Sequence, residues 1–167
     1  RSCSGEIFFS DLNIPKSVSS KVKSECFLLD MENQMDKIIL RDLNSHKGNF
    51  GHVLVVGGNS GYGGAGILAA KAAAYSGAGL VGLATKPEHV GPSIVSCPEV
   101  MAIGVDSGQD LVPYLENPNV IAIGPGLGQS ADTFTLVLEV LASFPTPCVL
   151  DADGLNALAS SPLELSG

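Results

Sequence analysis

The chain has 167 residues, of which 45% are hydrophobic and 16% are charged, and this balance is typical of a compact protein and not of a disordered one. The formal net charge of −8 argues against a nucleic-acid partner, because binding to that polyanion needs a clustered positive surface. No segment approaches the roughly 20 apolar residues of a membrane span, and the N-terminus lacks a secretory pattern. With four scattered cysteines and no CxxC pair, a cytoplasmic protein with free thiols is expected.

The first 44 residues differ in pattern from the rest of the chain. Residues 5–15 are predicted to form a strand that ends at a proline, and residues 18–43 are charged and only loosely periodic. A single strand is not stable alone. We therefore expect residues 1–44 either to add to the following sheet or to be the tail of an upstream domain, with the main domain over residues 45–167.

From residue 51 onward, short apolar runs alternate with segments of helical periodicity. The predicted strands are residues 53–56, 80–84, 100–104, 120–123 and 148–151, and the predicted helices are residues 64–76, 108–115 and 131–143. Apolar strands separated by helices indicate a parallel sheet with helices on both faces. Right-handed crossovers then place the carboxyl ends of all strands at one edge, where such sheets bind ligands.

A glycine-rich passage at residues 57–66 joins the first strand to a helix, which makes it a candidate phosphate site. The spacing G-x-G-x-x-G at residues 61–66 matches a dinucleotide fingerprint. However, this motif starts five residues after Val56, and the second strand ends in Thr85-Lys86, where a ribose-binding carboxylate is expected. A nicotinamide-dependent oxidoreductase is therefore disfavoured, and glycines that serve only tight turns and close packing are an alternative.

Two later loops add polar chemistry at the same predicted edge. Residues 124–128 read Gly-Pro-Gly-Leu-Gly, a rigid loop whose amides suit a phosphate or a carboxamide. Asp151 and Asp153 follow the fifth strand, where two carboxylates need a cation, a hydroxyl group or a helix N-terminus nearby. Asp153 either caps a helix at residues 154–159 or helps to hold a substrate or a Mg²⁺-bound phosphate, and the two readings are compatible.

In this order, the motifs closely resemble those of the ADP/ATP-dependent NAD(P)H-hydrate dehydratases, which have a ribokinase-like fold. The matching segments are residues 45–58, 64–65, 76–81, 98–101, 124–128 and 149–156. The resemblance implies an α/β protein with a mostly parallel sheet between two helix layers, incomplete at its C-terminus. Residues 5–15 also resemble the end of the epimerase domain that precedes the dehydratase in bifunctional bacterial enzymes, which makes residues 1–44 the tail of that domain and a linker.

The resemblance implies a repair reaction on NADH or NADPH whose nicotinamide ring has taken up water. ADP or ATP, with Mg²⁺, phosphorylates the added hydroxyl group, and elimination of phosphate restores the cofactor. The resemblance implies eight substrate-binding residues at the two glycine loops and in the aspartate segment: Gly64, Ala65, Gly124, Gly126, Gly128, Asp151, Asp153 and Asn156. Two further possible ones lie before the first strand, His46 and Lys47. A homo-oligomer is also implied.

The family's later motifs have no counterpart up to Gly167. They are a His-Pro-Gly-Glu segment, a nucleotide-binding loop with lysine and a Gly-Ser-Gly-Asp turn that carries the catalytic aspartate. No catalytic residue is assigned in this chain, and we expect the 167 residues alone to lack dehydratase activity. Two other classes stay open, a small-alcohol kinase with the same fold and a non-catalytic nucleotide-binding module.

Overall fold

The computed structural model describes residues 10, 12–22 and 41–160. The chain divides into two compact units, Arg1–Asp42 and Leu43–Gly167. The described part of the first unit contains one short helix, α1 (Lys16–Ser19), directly after Pro15. The strand predicted at residues 5–15 falls mostly outside the described residues, so its assignment to an upstream domain stays a prediction.

The second unit is built on a five-stranded parallel sheet. Its strands are β1 (His52–Val56), β2 (Leu80–Thr85), β3 (Met101–Gly104), β4 (Val120–Ile123) and β5 (Cys148–Leu150). Their order across the sheet is β3-β2-β1-β4-β5, and every neighbouring pair is parallel. The chain therefore adds β2 and β3 on one side of β1 and then crosses back to add β4 and β5 on the other side. This reversal creates a topological switch point between β1 and β4.

Five helices connect or follow these strands. They are α2 (Gly63–Tyr75), α3 (Val90–Ser96), α4 (Gly108–Leu115), α5 (Ala131–Ser143) and α6 (Asp153–Ala159). All five predicted strands and the helices matching α2, α4 and α5 are confirmed. Helix α3 was not predicted, because its Val-Gly-Pro-Ser start has no apolar helical spacing; Pro92 fits because it lies in the first turn.

Successive side chains of β1 point to opposite faces of the sheet and reach two separate cores. Leu54 and Val56 belong to a core with side chains of α4, α5 and α6, such as Leu111, Val137 and Ala157. Val55 belongs to a second core, to which α2 contributes Ala70 and β2 contributes Leu83. The sheet is thus covered on both faces, as predicted. Within the described residues, no helix has the length and apolar character needed to cross a membrane.

Candidate functional site

The two glycine loops meet at the switch point, where the carboxyl ends of β1 and β4 lie side by side. Backbone hydrogen bonds join them: Gly58 N donates to Pro125 O at 2.9 Å, and Asn59 N donates to Gly126 O at 2.7 Å. The Asn59 side chain adds a bond from Nδ2 to Leu127 O at 3.0 Å. Residues 57–62 and 124–128 therefore form one continuous structure at the ligand-binding edge, here called the glycine ridge.

Some glycines of the ridge are required by packing. A Cβ atom on Gly57 would overlap the carbonyl oxygen of Pro125, and one on Gly126 would lie 2.8 Å from Tyr62 O. Gly126 also has a φ of +65°, which side chains rarely adopt. At these two positions close packing by itself requires glycine.

Gly64 has no such packing reason. It lies in the first turn of α2, it is exposed, and a Cβ atom there would meet no described atom within 4 Å. The helix N-cap, Tyr62, makes no side-chain capping bond, and the first turn carries no acidic residue. Ala65 N already donates to Tyr62 O at 3.2 Å, so an anion at this helix start can use the Gly64 amide and the positive end of the helix dipole, and the missing side chain leaves room for it.

Asp153 fixes the far end of the ridge. Its Oδ2 atom accepts a hydrogen bond from Gly128 N at 2.8 Å, and its Oδ1 atom accepts bonds from Gln129 Nε2 at 3.3 Å and Asn156 Nδ2 at 3.2 Å. The helix predicted at residues 154–159 is confirmed as α6, but the interpretation of Asp153 as its cap is wrong, because the N-cap is Ala152 and Asp153 is the first helical residue. Both carboxylate oxygens thus help to orient the loop that follows β4.

The eight residues predicted to bind substrate form a chain of contacts at this edge. Gly126 adjoins Ala65, the neighbour of Gly64, while Gly124 adjoins the Asp151 carbonyl group. Gly128 connects through Asp153 to Asn156. Among the described residues, no three His, Cys, Asp or Glu side chains form a group that could hold a metal ion.

His46 and Lys47 lie at the opposite edge of the sheet, before β1. The His46 Nδ1 atom accepts a hydrogen bond from Gly48 N at 3.2 Å, and His46 N donates to Asn49 Oδ1 at 2.9 Å, which caps the 3-10 helix Lys47–Phe50. The Lys47 carbonyl oxygen packs against Gly79, just before β2. The fold does not bring these two residues to the glycine ridge, because they precede a strand whose carboxyl end carries the site.

Sequence reasoning gave no role to the residues after β2 that support the ridge. The His89 ring packs against Gly63, and its Nε2 atom lies 3.0 Å from Asn59 O. Ser60 Oγ donates to Glu88 Oε1 at 2.6 Å, and this bond is the main cause of the lowered pKa of Glu88. Their place directly after a strand was a usable signal, but their contacts with residues about 30 positions earlier arise only from the fold.

A parallel sheet with a glycine ridge at its switch point defines an α/β ligand-binding protein, and solved structures show that its fold is ribokinase-like. A ribokinase-like superfamily protein from Enterococcus faecalis superposes with a TM-score of 0.73 at 30% identity, covering 86% of this chain and 53% of that one. The ADP/ATP-dependent NAD(P)H-hydrate dehydratase from Bacillus subtilis, co-crystallised with ATP/Mg²⁺, gives a TM-score of 0.61 at 29% identity, covering 71% and 43%.

A family model described as NAD(P)H-hydrate dehydratase matches residues 53–166, and the chain belongs to that family. The bifunctional NAD(P)H-hydrate repair enzyme of Coxiella burnetii is 44% identical over 160 residues, which are 96% of this chain. The chain spans 33% of the length of that relative.

Proposed function

We propose that this chain supplies the dinucleotide-binding part of an enzyme that converts (S)-NAD(P)H-hydrate to NAD(P)H at the expense of ADP or ATP. Family membership supports the substrate class. The observation that carries the proposal is Gly64, an exposed glycine in the first turn of α2 whose missing side chain no packing contact explains. A phosphate group that approaches the helix amides explains it.

The glycine ridge would then hold the substrate from two sides. The start of α2 at Gly64 and Ala65 binds the pyrophosphate through the Gly64 amide, since Ala65 N donates to Tyr62 O, and the loop at residues 124–128 lets the hydrated ring approach the main chain. Asp153 contributes by holding Gly128 in place through its 2.8 Å hydrogen bond. Such rigid positioning is the main contribution that a protein makes to phosphoryl transfer.

The reaction balances as phosphorylation followed by elimination. Hydration has added hydrogen at C5 and a hydroxyl group at C6 of the nicotinamide ring. The donor transfers its terminal phosphoryl group to the C6 oxygen, which loses its proton, and AMP or ADP is released. The C6–O bond then breaks, phosphate leaves with the electron pair, and a proton leaves C5 to restore the C5–C6 double bond. Phosphorylation is needed because hydroxide is a poor leaving group and phosphate a good one.

The phosphoryl donor, ADP or ATP, and the Mg²⁺ ion are proposed from a solved relative. The Bacillus subtilis relative is named ADP/ATP-dependent and was co-crystallised with ATP/Mg²⁺. The described residues of this chain provide no group of metal ligands, so we assign them no step that uses Mg²⁺. An upstream epimerase-like portion, a homo-oligomer and a cytoplasmic location are further parts of the proposal; the first is supported by the bifunctional Coxiella burnetii relative, which aligns with 96% of the chain.

Isothermal titration with hydrated NADH, hydrated NADPH and ADP tests the proposal on this chain. We expect binding of a hydrated dinucleotide without turnover. If none of the three ligands binds, the alternative of a non-catalytic module that does not use them is favoured. Phosphorylation of a small alcohol such as a hydroxymethylpyrimidine, without binding of hydrated NADH, would instead support the kinase alternative.

A further inference from the structure

A cavity of about 210 Å³ lies on the side of the glycine ridge that faces α4 and α5. Its floor is apolar and includes Val105, Leu127 and Leu136, and Gly57 and Gly58 of the ridge form one wall. None of the eight predicted substrate residues lines it. This side cavity therefore shares a wall with the proposed dinucleotide site but is a separate space.

The size of the side cavity suits part of a ligand. Pockets that enclose a whole drug-sized ligand measure about 300–1,000 Å³, and this one is smaller. A flat ring fits an apolar floor of this kind, while the remainder of the ligand would pass over the wall made by Gly57 and Gly58. A dinucleotide has this two-part form, with two bases joined through a pyrophosphate.

The charges at the rim indicate which groups the cavity accepts. Lys86, the cation among the described lining residues, donates from Nζ to Asp106 O at 3.0 Å and lies 3.6 Å from Asp106 Oδ1. Lys86 and Asp106 thus offset each other's charge, and the Asp106 side chain is 75% exposed. The exposed Asp132 also lines the cavity and leaves these lining residues with one net negative charge. Carboxylates at such a rim accept hydrogen bonds from hydroxyl or amino groups and repel a further phosphate.

We propose that the side cavity binds the adenosine half of the dinucleotide and prefers a ribose with a free 2′-hydroxyl group, hence NADH hydrate over NADPH hydrate. This inference rests on the proposed function. In Rossmann folds a carboxylate at the end of the second strand binds that hydroxyl group; this fold is ribokinase-like, but a carboxylate beside the same strand end can form the same hydrogen bond. Here the second strand ends in Thr85-Lys86, and Asp106, after the third strand, takes the position beside it.

Titration of this chain with three stable probes tests the assignment: ADP-ribose, 2′-phospho-ADP-ribose and nicotinamide mononucleotide. Two variants address the cavity, Leu136→Phe, which narrows it, and Asp132→Asn, which removes a rim charge. The matched controls on the same helix are Leu138→Phe and Glu139→Gln, at positions that do not line the side cavity. Thermal unfolding of each variant shows whether it is folded. If Leu136→Phe does not fold, Asp132→Asn still tests the assignment, because Asp132 is exposed and its replacement leaves the core unchanged.

We expect Leu136→Phe to weaken ADP-ribose binding about tenfold, which corresponds to about 1.4 kcal/mol. The affinity for nicotinamide mononucleotide should not change. The unmodified chain should bind ADP-ribose more tightly than its 2′-phospho form, and Asp132→Asn should narrow that difference. Equal effects of the cavity variants and their controls, or tighter binding of the 2′-phospho form, would overturn the assignment. NADH hydrate that binds the Leu136→Phe variant with unchanged affinity overturns it while the proposed function stands, whereas NADH hydrate that fails to bind the unmodified chain overturns both.

Discussion

Replacement of Gly124 by alanine tests whether the ridge depends on close contact between the β4 loop and the start of α6. Gly124 has a φ of +132°. A Cβ atom there would overlap the Asp151 carbonyl oxygen and lie 2.7 Å from Gly154 N. Both are backbone atoms, and they are joined to each other by the hydrogen bond from Gly154 N to Asp151 O at 2.9 Å; Asp151 is held further by the bond from its own N to Ile123 O at 3.1 Å. They cannot rotate away as the end of a side chain can.

Two costs add in this variant. A residue held in a φ region reserved for glycine costs about 1–3 kcal/mol, and forced overpacking costs about 1–3 kcal/mol more. The sum is a large part of the roughly 5–15 kcal/mol that stabilises a typical domain. Gly61→Ala is the matched control, because Gly61 has a φ of +81° but a Cβ atom there would meet nothing within 4 Å. It carries the conformational cost without the steric one.

Urea unfolding followed by circular dichroism gives the free energy of unfolding of both variants by linear extrapolation. We expect Gly124→Ala to lose at least about 1 kcal/mol more than Gly61→Ala. Equal losses would refute the argument from backbone overlap. If Gly124→Ala does not fold, Gly128→Ala provides a milder case, since its Cβ atom would lie 3.2 Å from the movable Asn59 side chain.

Three further predictions follow from single residues. Gly64→Ala should keep or raise the free energy of unfolding, since alanine stabilises a helix interior by up to about 1 kcal/mol relative to glycine. The same variant should bind NADH hydrate about tenfold more weakly in titration calorimetry; unchanged binding would contradict the proposed site. Ser107→Ala should cost about 1 kcal/mol in urea unfolding and raise the pKa of Asp110 in an NMR titration, because the Ser107 hydrogen bond is the main cause that lowers it; an unchanged pKa would argue against that bond. Burial lowers the pKa of His52 below 6.5, so the His52 ring binds a proton more readily in the unfolded chain than in the folded one. The free energy of unfolding should therefore fall as the pH drops through about 6.5. His52→Leu should remove that part of the pH dependence in urea unfolding, and an identical pH profile would show that other groups cause it.

The strands and the edge that carries the site were predictable from sequence. An apolar run in the middle of a parallel sheet is buried on both faces, as in β1, where Leu54, Val55 and Val56 are each 1% exposed. Such runs stand out locally, whatever their neighbours in space. Parallel strands with right-handed crossovers then put all carboxyl ends at one edge, so the glycine loops and the aspartate segment could be assigned together.

The family motifs could not be divided into binding and structural ones from sequence. Gly79 has the same appearance as the ridge glycines, but it lies at the amino edge, where a Cβ atom would overlap the Lys47 carbonyl oxygen. Glu99 lies just before β3, where its carboxylate accepts a hydrogen bond from Cys97 Sγ at 3.3 Å. These motif residues precede strands at the amino edge of the sheet, where Gly79 allows close packing and Glu99 accepts a hydrogen bond.

The sequence by itself thus determined the element types, the parallel sheet and the edge at which a ligand binds. Only the tertiary structure decided the order of the strands, the role of Asp153 in holding Gly128, and which glycines leave room for a ligand. The physical reason is separation along the chain: Asn59 and Leu127, whose hydrogen bond joins the ridge, are 68 positions apart. The local sequence pattern carries no information about such a contact. This hydrogen bond and the neighbouring backbone bonds join the two glycine loops into one site.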